Sequence, residues 1–310
     1  MADHVLDAST TVHRWNPAYP PRLTIASGDV VTVETRDASG GQVRPGMDAE
    51  AFSRIDTGLI HALTGPIAID GAEPGDVLVV EVIDLQHHGW AWTSIIPGLG
   101  LLDSDFDRPF IHHWELDGDV TRSMPGVTLD LHPFCGVMGV QPAEPGEIRT
   151  RPPGPFGGNM DVRHLGKGAV LRLPVFQPGA GFCAGDCHAA QGDGEVSING
   201  MEAPMTVVLR FRVEKQLALA APHARVPGDL LPRRYRSAPW QAFIESHREP
   251  RLACREVVRR AIDYLVNRLG ITAEQAYVLC SVVLDLKISQ LVNVPMTTVT
   301  GYVPEAVFDL

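Results

Sequence analysis

The sequence predicts a mainly β protein, sandwich-like through its N-terminal and central part, with an α+β C-terminal part containing two helices. Three observations carry this. The 310 residues include 30 Gly and 25 Pro, more turn-formers than a helical protein holds and fewer than a disordered chain carries. Up to about residue 215, short apolar stretches alternate with Gly, Pro and Asp, the punctuation of strands and turns. Past that point the apolar period becomes helical. The chain therefore divides into a β-rich core, 1–215, carrying the candidate site, and an α+β part, 216–310, packed on it.

Three segments of the core share one local pattern, a Gly-containing turn followed by a strand: TIASGDVVTVETRD (24–37), DGAEPGDVLVVEVIDL (70–85) and LGKGAVLRLPVFQPG (165–179). In the second, Pro74-Gly75 makes the turn. Val77, Val79, Glu81 and Ile83 then share one face, with Leu78, Val80, Val82 and Asp84 on the other. A strand apolar on both faces for most of its length belongs inside a sandwich. PMTVVLRFRVEK (204–215) alternates instead. Val207, Leu209, Phe211 and Val213 point inward and Arg210 and Arg212 outward, the signature of a strand with one wet face.

After a connection rich in Pro and Arg (217–240), a helix is expected from about Pro250, where proline suits a first turn, to the stop at Gly270. Val258, Ile262, Leu265 and Leu269 form its apolar stripe. A second helix opens on the capping-box pair Thr272 and Gln275 and carries Tyr277, Cys280, Ser281, Leu284 and Ile288. The tail LVNVPMTTVTGYVPEAVF, with its β-branched residues and prolines, returns to strand or loop.

Composition excludes several functions. A formal charge of -11 works against nucleic-acid binding, which needs cations to displace counterions from a polyanion. No run of about 18 apolar residues offers a membrane span, and the start MADHVLDASTTVHRW lacks the basic and apolar regions of a signal peptide, so a cytoplasmic location is expected. Five cysteines, an odd number, read as reduced thiols, not a disulfide framework. There is no G-x-S-x-G elbow, P-loop or dinucleotide fingerprint.

The densest polar cluster is GPFGGNMDVRHLGKG (154–168), followed after one strand by GAGFCAGDCHAAQGDGEVSING (179–200). Together they offer Asn159, Asp161, Arg163, His164, Asp186, His188, Gln191, Asp193 and Glu195, among glycines that let backbone approach a ligand closely. Asp186 and His188 are two apart, so on a strand both face one side. Glu195 is expected to start the next strand after the Gln191–Gly194 turn and to fold back toward them. Such an oxygen and nitrogen set suits a divalent metal, zinc before calcium, with an open position for a water of lowered pKa. Glu195 is the choice for the carboxylate that accepts the water's proton. Spacing alone leaves open which acids ligate and which one moves protons. His61, just before a turn and a strand, is a candidate further ligand. His87-His88 and His112-His113 are adjacent pairs facing opposite ways on a strand, so neither pair chelates through both members, which suits solvated or structural roles. Cys187 offers a rival thiolate mechanism, but its neighbours Asp186 and His188 face away from it and the adjacent acid disfavours the thiolate.

LTGPIAIDGAEPGDVLVVEVIDL (63–85), GEIRTRPPGPFGGNMDVRHLGKGAVLRLPVFQPGAGFCAGDCHAAQGDGEVSING (146–200) and YVLCSVVLDLKISQLVNVP (277–295) lie in order and far apart. Through them, and above all through GGNMD…GD-x-HAAQGDGE, the chain resembles the acetamidase/formamidase family of amide hydrolases. The resemblance implies hydrolysis of short linear amides, formamide or acetamide, to carboxylate and ammonia. It also implies a mostly β fold with an α+β C-terminal part, a divalent metal at the site, and self-assembly as a dimer or higher homo-oligomer. Carried onto this chain, it points to Asn159, Asp161, Asp186, His188 and Glu195. The combined expectation assigns Asp161, Asp186, His188 and His61 to the metal, Asn159, Gln191 and Gly185 to the substrate, and Glu195, His188 and Asp186 to catalysis. Many relatives have glycine where this chain has Cys187, which favours the metal-water mechanism over the thiol. Two other classes fit the polar cluster alone. An iron oxygenase on a β-sandwich would consume oxygen, and a non-catalytic module would bind a small ligand without turnover.

Overall fold

Met205–Glu214 buries Val207, Leu209 and Phe211 and leaves Arg212 exposed, as its alternation requires. In the computed structural model, which describes residues 3–228 and 232–309, it is a central strand of a six-stranded sheet. The spatial order is Asp3–Leu6, Val30–Thr35, Met205–Glu214, Val77–His87, Val170–Pro174 and His223–Arg225. All three turn-then-strand segments thus deliver their strands to one sheet. Val77–His87, apolar on both faces at its start, lies between Met205–Glu214 and Val170–Pro174.

A five-stranded sheet faces it, in the order Gly157–Asn159, Phe134–Gly139, Phe182–His188, Leu63–Ile69 and Leu23–Ile25. The two sheets form the expected sandwich. The rings of Phe182 and Phe211 meet edge to face across it, 5.1 Å between centroids, and Thr64 Oγ1 donates across it to Glu34 O at 2.7 Å. A four-stranded antiparallel sheet, Val127–Asp130, Val120–Met124, Phe110–Asp117 and Trp90–Ile95, adjoins the five-stranded one. Glu202 bridges the two. Its backbone exchanges hydrogen bonds with Trp92 (2.8 and 3.0 Å) and bridges to His188 on the other side.

Both expected helices are present. Pro250–Leu269 has proline in its first turn and stops at Gly270, whose left-handed backbone (φ 68°) lets its N–H reach Val266 O at 2.9 Å. Ala273–Val283 opens on the reciprocal Thr272–Gln275 capping box. One assignment needs correction: the helix ends at Val283, so Ile288 is not on it but in the strand Asp285–Gln290, where it is exposed. The cause is Asp285, a buried carboxylate paired with Arg163 and accepting from the Asp193 N–H at 3.1 Å. That attachment draws the chain out of the helix into a three-stranded sheet with Thr297–Pro304 and Trp240–His247. The tail is part strand, Thr297–Pro304, and part loop and turn, as expected. The Pro- and Arg-rich connection also carries the strand His223–Arg225 and one short helix, Arg233–Ser237. One apolar core includes residues from Leu6 to Phe308 and so runs through both parts of the chain.

Candidate active site

Five loop or strand segments converge at the end of the Phe182–His188 strand where the two sheets meet at Glu202. Asp186 and His188 project on the same side, as their spacing predicts, with His188 Nε2 3.8 Å from Asp186 Oδ1. Glu202 Oε1 lies 3.1 Å from the same nitrogen, and His61 Nε2 lies 3.7 Å from Asp186 Oδ2. Asp161 completes one set with Asp186 and His188, and Glu195 another with His188 and Glu202. Within each set the offered ligand atoms lie within 4.8 Å of one another. Asp186 is 2% exposed and His188 0%. Asp161, Asp186 and Glu195 all hold left-handed backbone (φ 49°, 52° and 45°), a conformation uncommon outside glycine. Such strain concentrates where a site needs a side chain aimed against local preference.

Two glycines make room for this convergence. A Cβ at Gly136 would fall 2.6 Å from Asp161 Oδ1 and 3.1 Å from Asp186 Oδ2, and one at Gly200 would fall 2.6 Å from His188 Nδ1. Gln191 supplies the orientation of His188. Its Nε2 donates to Asp161 O at 2.9 Å, which leaves Oε1 to accept from His188 Nδ1 at 2.7 Å. The proton thereby sits on Nδ1, and Nε2 is turned to the carboxylates. Arg163 pins this loop: it donates to Gln191 O at 3.1 Å and pairs with the buried Asp285.

Electrostatics follow from crowding four carboxylates with two imidazoles in a dry place. Burial, then the repulsion of Asp161, pushes Glu195 well above the usual carboxylate range. Burial raises Asp161 to about 7 and Glu202 to about 8. Burial would raise Asp186 too, but His61 and His188 outweigh it and hold that carboxyl low. Burial disfavours charge on His188, yet Glu202 and Asp186 prevail and raise it, whereas in His61 burial wins and lowers it. Asp161 Oδ1, Asp186 Oδ1, Glu202 Oε2 and His188 Nε2 are buried without a geometrically good hydrogen bond. Orphaned oxygens around an imidazole nitrogen are what a divalent cation satisfies, so these residues fit one.

The cluster opens into a cavity of about 80 Å³ lined by His61, Asn159, Asp186, Glu195 and Glu202 on its polar side and by Phe52, Trp92, Ile96 and Ile198 on its apolar side. That is room for a handful of water-sized groups. Asn159 keeps Oδ1 unpartnered while Nδ2 donates to Arg151 O at 3.2 Å.

Most expected residues thus come together: His61, Asn159, Asp161, Asp186, His188 and Glu195. Three placements differ from the sequence expectation. Gln191 is buried behind His188 and has both amide ends engaged, so it positions the imidazole and does not face the cavity. Gly185 lies inside the sheet, where a Cβ would come 2.6 Å from Ala62 O, so its smallness serves strand packing. Glu195 is in a turn, not at the start of a strand. Its N–H bonds Gly192 O and its carbonyl accepts from Ile198 N, and the next strand begins only at Met205. Cys187 faces away from the cluster, with Sγ accepting from Thr35 Oγ1 at 3.4 Å and 3.5 Å from Cys135 Sγ. His87 and His113 bond backbone carbonyls elsewhere, in the structural roles expected of those pairs.

Sequence reasoning missed Glu202, Gly136 and Gly200. Glu202 had a signal: it is the only charged residue between Glu195 and Arg210, in a stretch otherwise suited to burial. For Gln191→Ala we expect a ten- to hundredfold loss of metal affinity, the usual cost of freeing a ligating imidazole, at an order-of-magnitude level. Competition with a chelating dye would measure it, and unchanged affinity would remove Gln191 from this role.

Comparison with known proteins shows the family. The chain matches the Acetamidase/Formamidase family over residues 3–145 and 145–310. It is 29% identical to a putative formamidase of Schizosaccharomyces pombe, covering 96% of this chain and 89% of that protein. The fold superposes on a gamma lactamase from Delftia acidovorans with a TM-score of 0.91 at 25% identity, covering 100% of this chain and 94% of the other. An acetamidase from Bacillus halodurans superposes with a TM-score of 0.69 at 30% identity, covering 96% of both chains. With the family matched along nearly its whole length, the chain belongs to the acetamidase/formamidase family of amide hydrolases.

Proposed function

We propose that this enzyme hydrolyses short linear aliphatic amides, of the formamide or acetamide type, to carboxylate and ammonia with water activated by a divalent metal, zinc by the mixture of imidazole and carboxylate donors. The observation that carries this is the convergence of buried carboxylate oxygens of Asp161, Asp186 and Glu202 on the His188 imidazole, beside a cavity the size of a small amide that Asp186, Glu195, Glu202 and His61 line. Asp161, Asp186 and His188 would hold the cation, with His61 beside Asp186 and Glu202 beside His188. A divalent ion bound there polarises a carbonyl oxygen and lowers the pKa of a water molecule.

The remaining work falls to the chain. Asn159 accepts an amide N–H at Oδ1 and orients the scissile bond. Glu195 takes a proton from the attacking water on its carboxylate and delivers it to the leaving nitrogen, because an amine departs poorly without one. Phe52, Trp92, Ile96 and Ile198 keep bulk water from the reacting groups. A relative called a gamma lactamase breaks the same kind of C–N bond in a ring, which supports the bond class.

Ammonia release from formamide, acetamide, propionamide and urea, with and without chelator, tests the reading. We expect turnover of the amides and not of urea, loss with chelator, and recovery with zinc. Chelation is also expected to lower the unfolding temperature, since a cation bound only to the folded state stabilises it by about 2.7 kcal/mol at a hundredfold excess over Kd. Full activity in chelator would overturn the metal, and no ammonia from any amide would overturn the activity.

We also infer a homo-oligomer, a dimer or larger, in a reducing cytoplasm. The exposed Leu291, Val292 and Val294, with Ile288 and Ile244 on the C-terminal sheet, support a buried contact in the assembly. Five free cysteines suit the compartment. Sedimentation at monomer mass would refute the assembly.

A further inference from the structure

The catalytic cavity has an apolar neighbour. A second cavity of about 240 Å³ is lined by Phe52, Ile55, Ile60, Ile96, Leu99 and Pro109 among others, and none of its lining residues is acidic. Phe52, Ile60, Ile96 and Arg151 line both cavities. The pair therefore has one end crowded with carboxylates and another walled by aliphatic and aromatic carbon. Formamide and acetamide fit the smaller cavity and would leave the larger one empty, although an apolar hollow of that size readily takes up apolar groups.

The wall of this annex is built and braced. Leu99 N donates to Ile96 O at 3.0 Å, and Leu101 N donates to Val196 O at 2.8 Å, close to Glu195 in the chain. Beyond them, Asp103 and Asp105 pair with Arg255 and Arg259 of the Pro250–Leu269 helix at 2.6 and 2.5 Å. Such a wall resists collapse, so the space persists for a ligand.

We propose that the annex is an acyl subsite, and that the preferred substrates are primary amides whose apolar acyl chain runs to about four to six carbons, a length argued from the added cavity. The inference rests on the amidase reading above. Orientation follows from chemistry. The –NH2 group, a hydrogen-bond donor that leaves as ammonia, belongs with Asn159 and Glu195, and the acyl chain belongs with Phe52, Ile60 and Ile96.

The test is kcat/KM across formamide, acetamide, propionamide, butyramide, valeramide and hexanamide, with N-butylacetamide as control. We expect a rise of about fourfold per methylene, the worth of burying one CH2, until the annex is full. Leu99→Trp and Ile55→Trp, which alter the annex and not the carboxylate cavity, should flatten the series beyond propionamide and keep acetamide turnover within about twofold, because the catalytic groups are untouched. Leu99→Ala, which adds space, should move the optimum to longer chains. A series that falls with chain length while acetamide is still hydrolysed would overturn the subsite and leave the amidase reading intact. So would faster turnover of N-butylacetamide than of hexanamide, because it would place the apolar group on nitrogen. No ammonia from any of the primary amides and no butylamine from N-butylacetamide would overturn the amidase reading, and the subsite with it.

Discussion

Glu195→Gln is expected to lower kcat for acetamide by about a hundred- to ten-thousandfold, the usual range for a lost general base. Glutamine keeps the size and the hydrogen-bonding shape of the side chain but accepts no proton. The turn around residue 195 is held by backbone bonds from Glu195 N to Gly192 O and from Ile198 N to Glu195 O, which the substitution leaves alone. In the cation-free site burial and the neighbouring Asp161 favour the neutral form of Glu195, so an uncharged replacement costs that state of the fold little, whereas a bound cation would favour the carboxylate that accepts the proton. The variant should retain the wild-type metal content by elemental analysis and the wild-type unfolding temperature. Wild-type turnover would transfer the proton work to another group, with Glu202, which shares a set with Glu195 and His188, a candidate.

Loss of the metal is the second large effect, and it is sought at Asp186 and His188. Asp186→Asn suits the left-handed backbone at this position, since Asn visits that region more readily than most residues. Charge is thus removed without added strain. We expect bound metal to fall from about one per chain to background, and activity with it. His188→Ala goes further. It strips Glu202 of its 3.1 Å partner and leaves buried carboxylates uncompensated, which should destabilise the metal-free protein by about 3–5 kcal/mol in urea unfolding. Full metal occupancy in Asp186→Asn would move ligation to the His188, Glu195 and Glu202 set. A second, independent sign is expected from Asp161→Asn in the metal-free state. Removing one of several repelling buried acids should not destabilise that state, whereas the loaded state should lose its cation.

What sequence supplies and what it withholds differ in kind at this site. The Asp186–His188 pair was readable because strand geometry repeats every two residues, a rule that acts within one segment. The helix Pro250–Leu269 was readable for the same reason, with proline to start it, Gly270 to stop it and a stripe at helical period between them. The end of the second helix was not, because it depends on Asp285 meeting Arg163, a residue more than a hundred positions away. Gln191 reads as one more polar residue in a turn until His188 Nδ1 and Asp161 O are found on either side of it. Glu202 reads as a lone acid until Trp92 and His188 are seen to flank its backbone.

Sequence alone determined several strands, the helix caps and most of the acids and imidazoles of the cluster, because propensity, periodicity and donor type are properties of short stretches of chain, while the class of chemistry came through the resemblance to the family. The tertiary structure alone decided which of those groups share a cavity, which one orients another, and that an apolar annex adjoins them. Those depend on pairings between distant segments, fixed by the register of two sheets and by the burial that makes every unpartnered polar atom count.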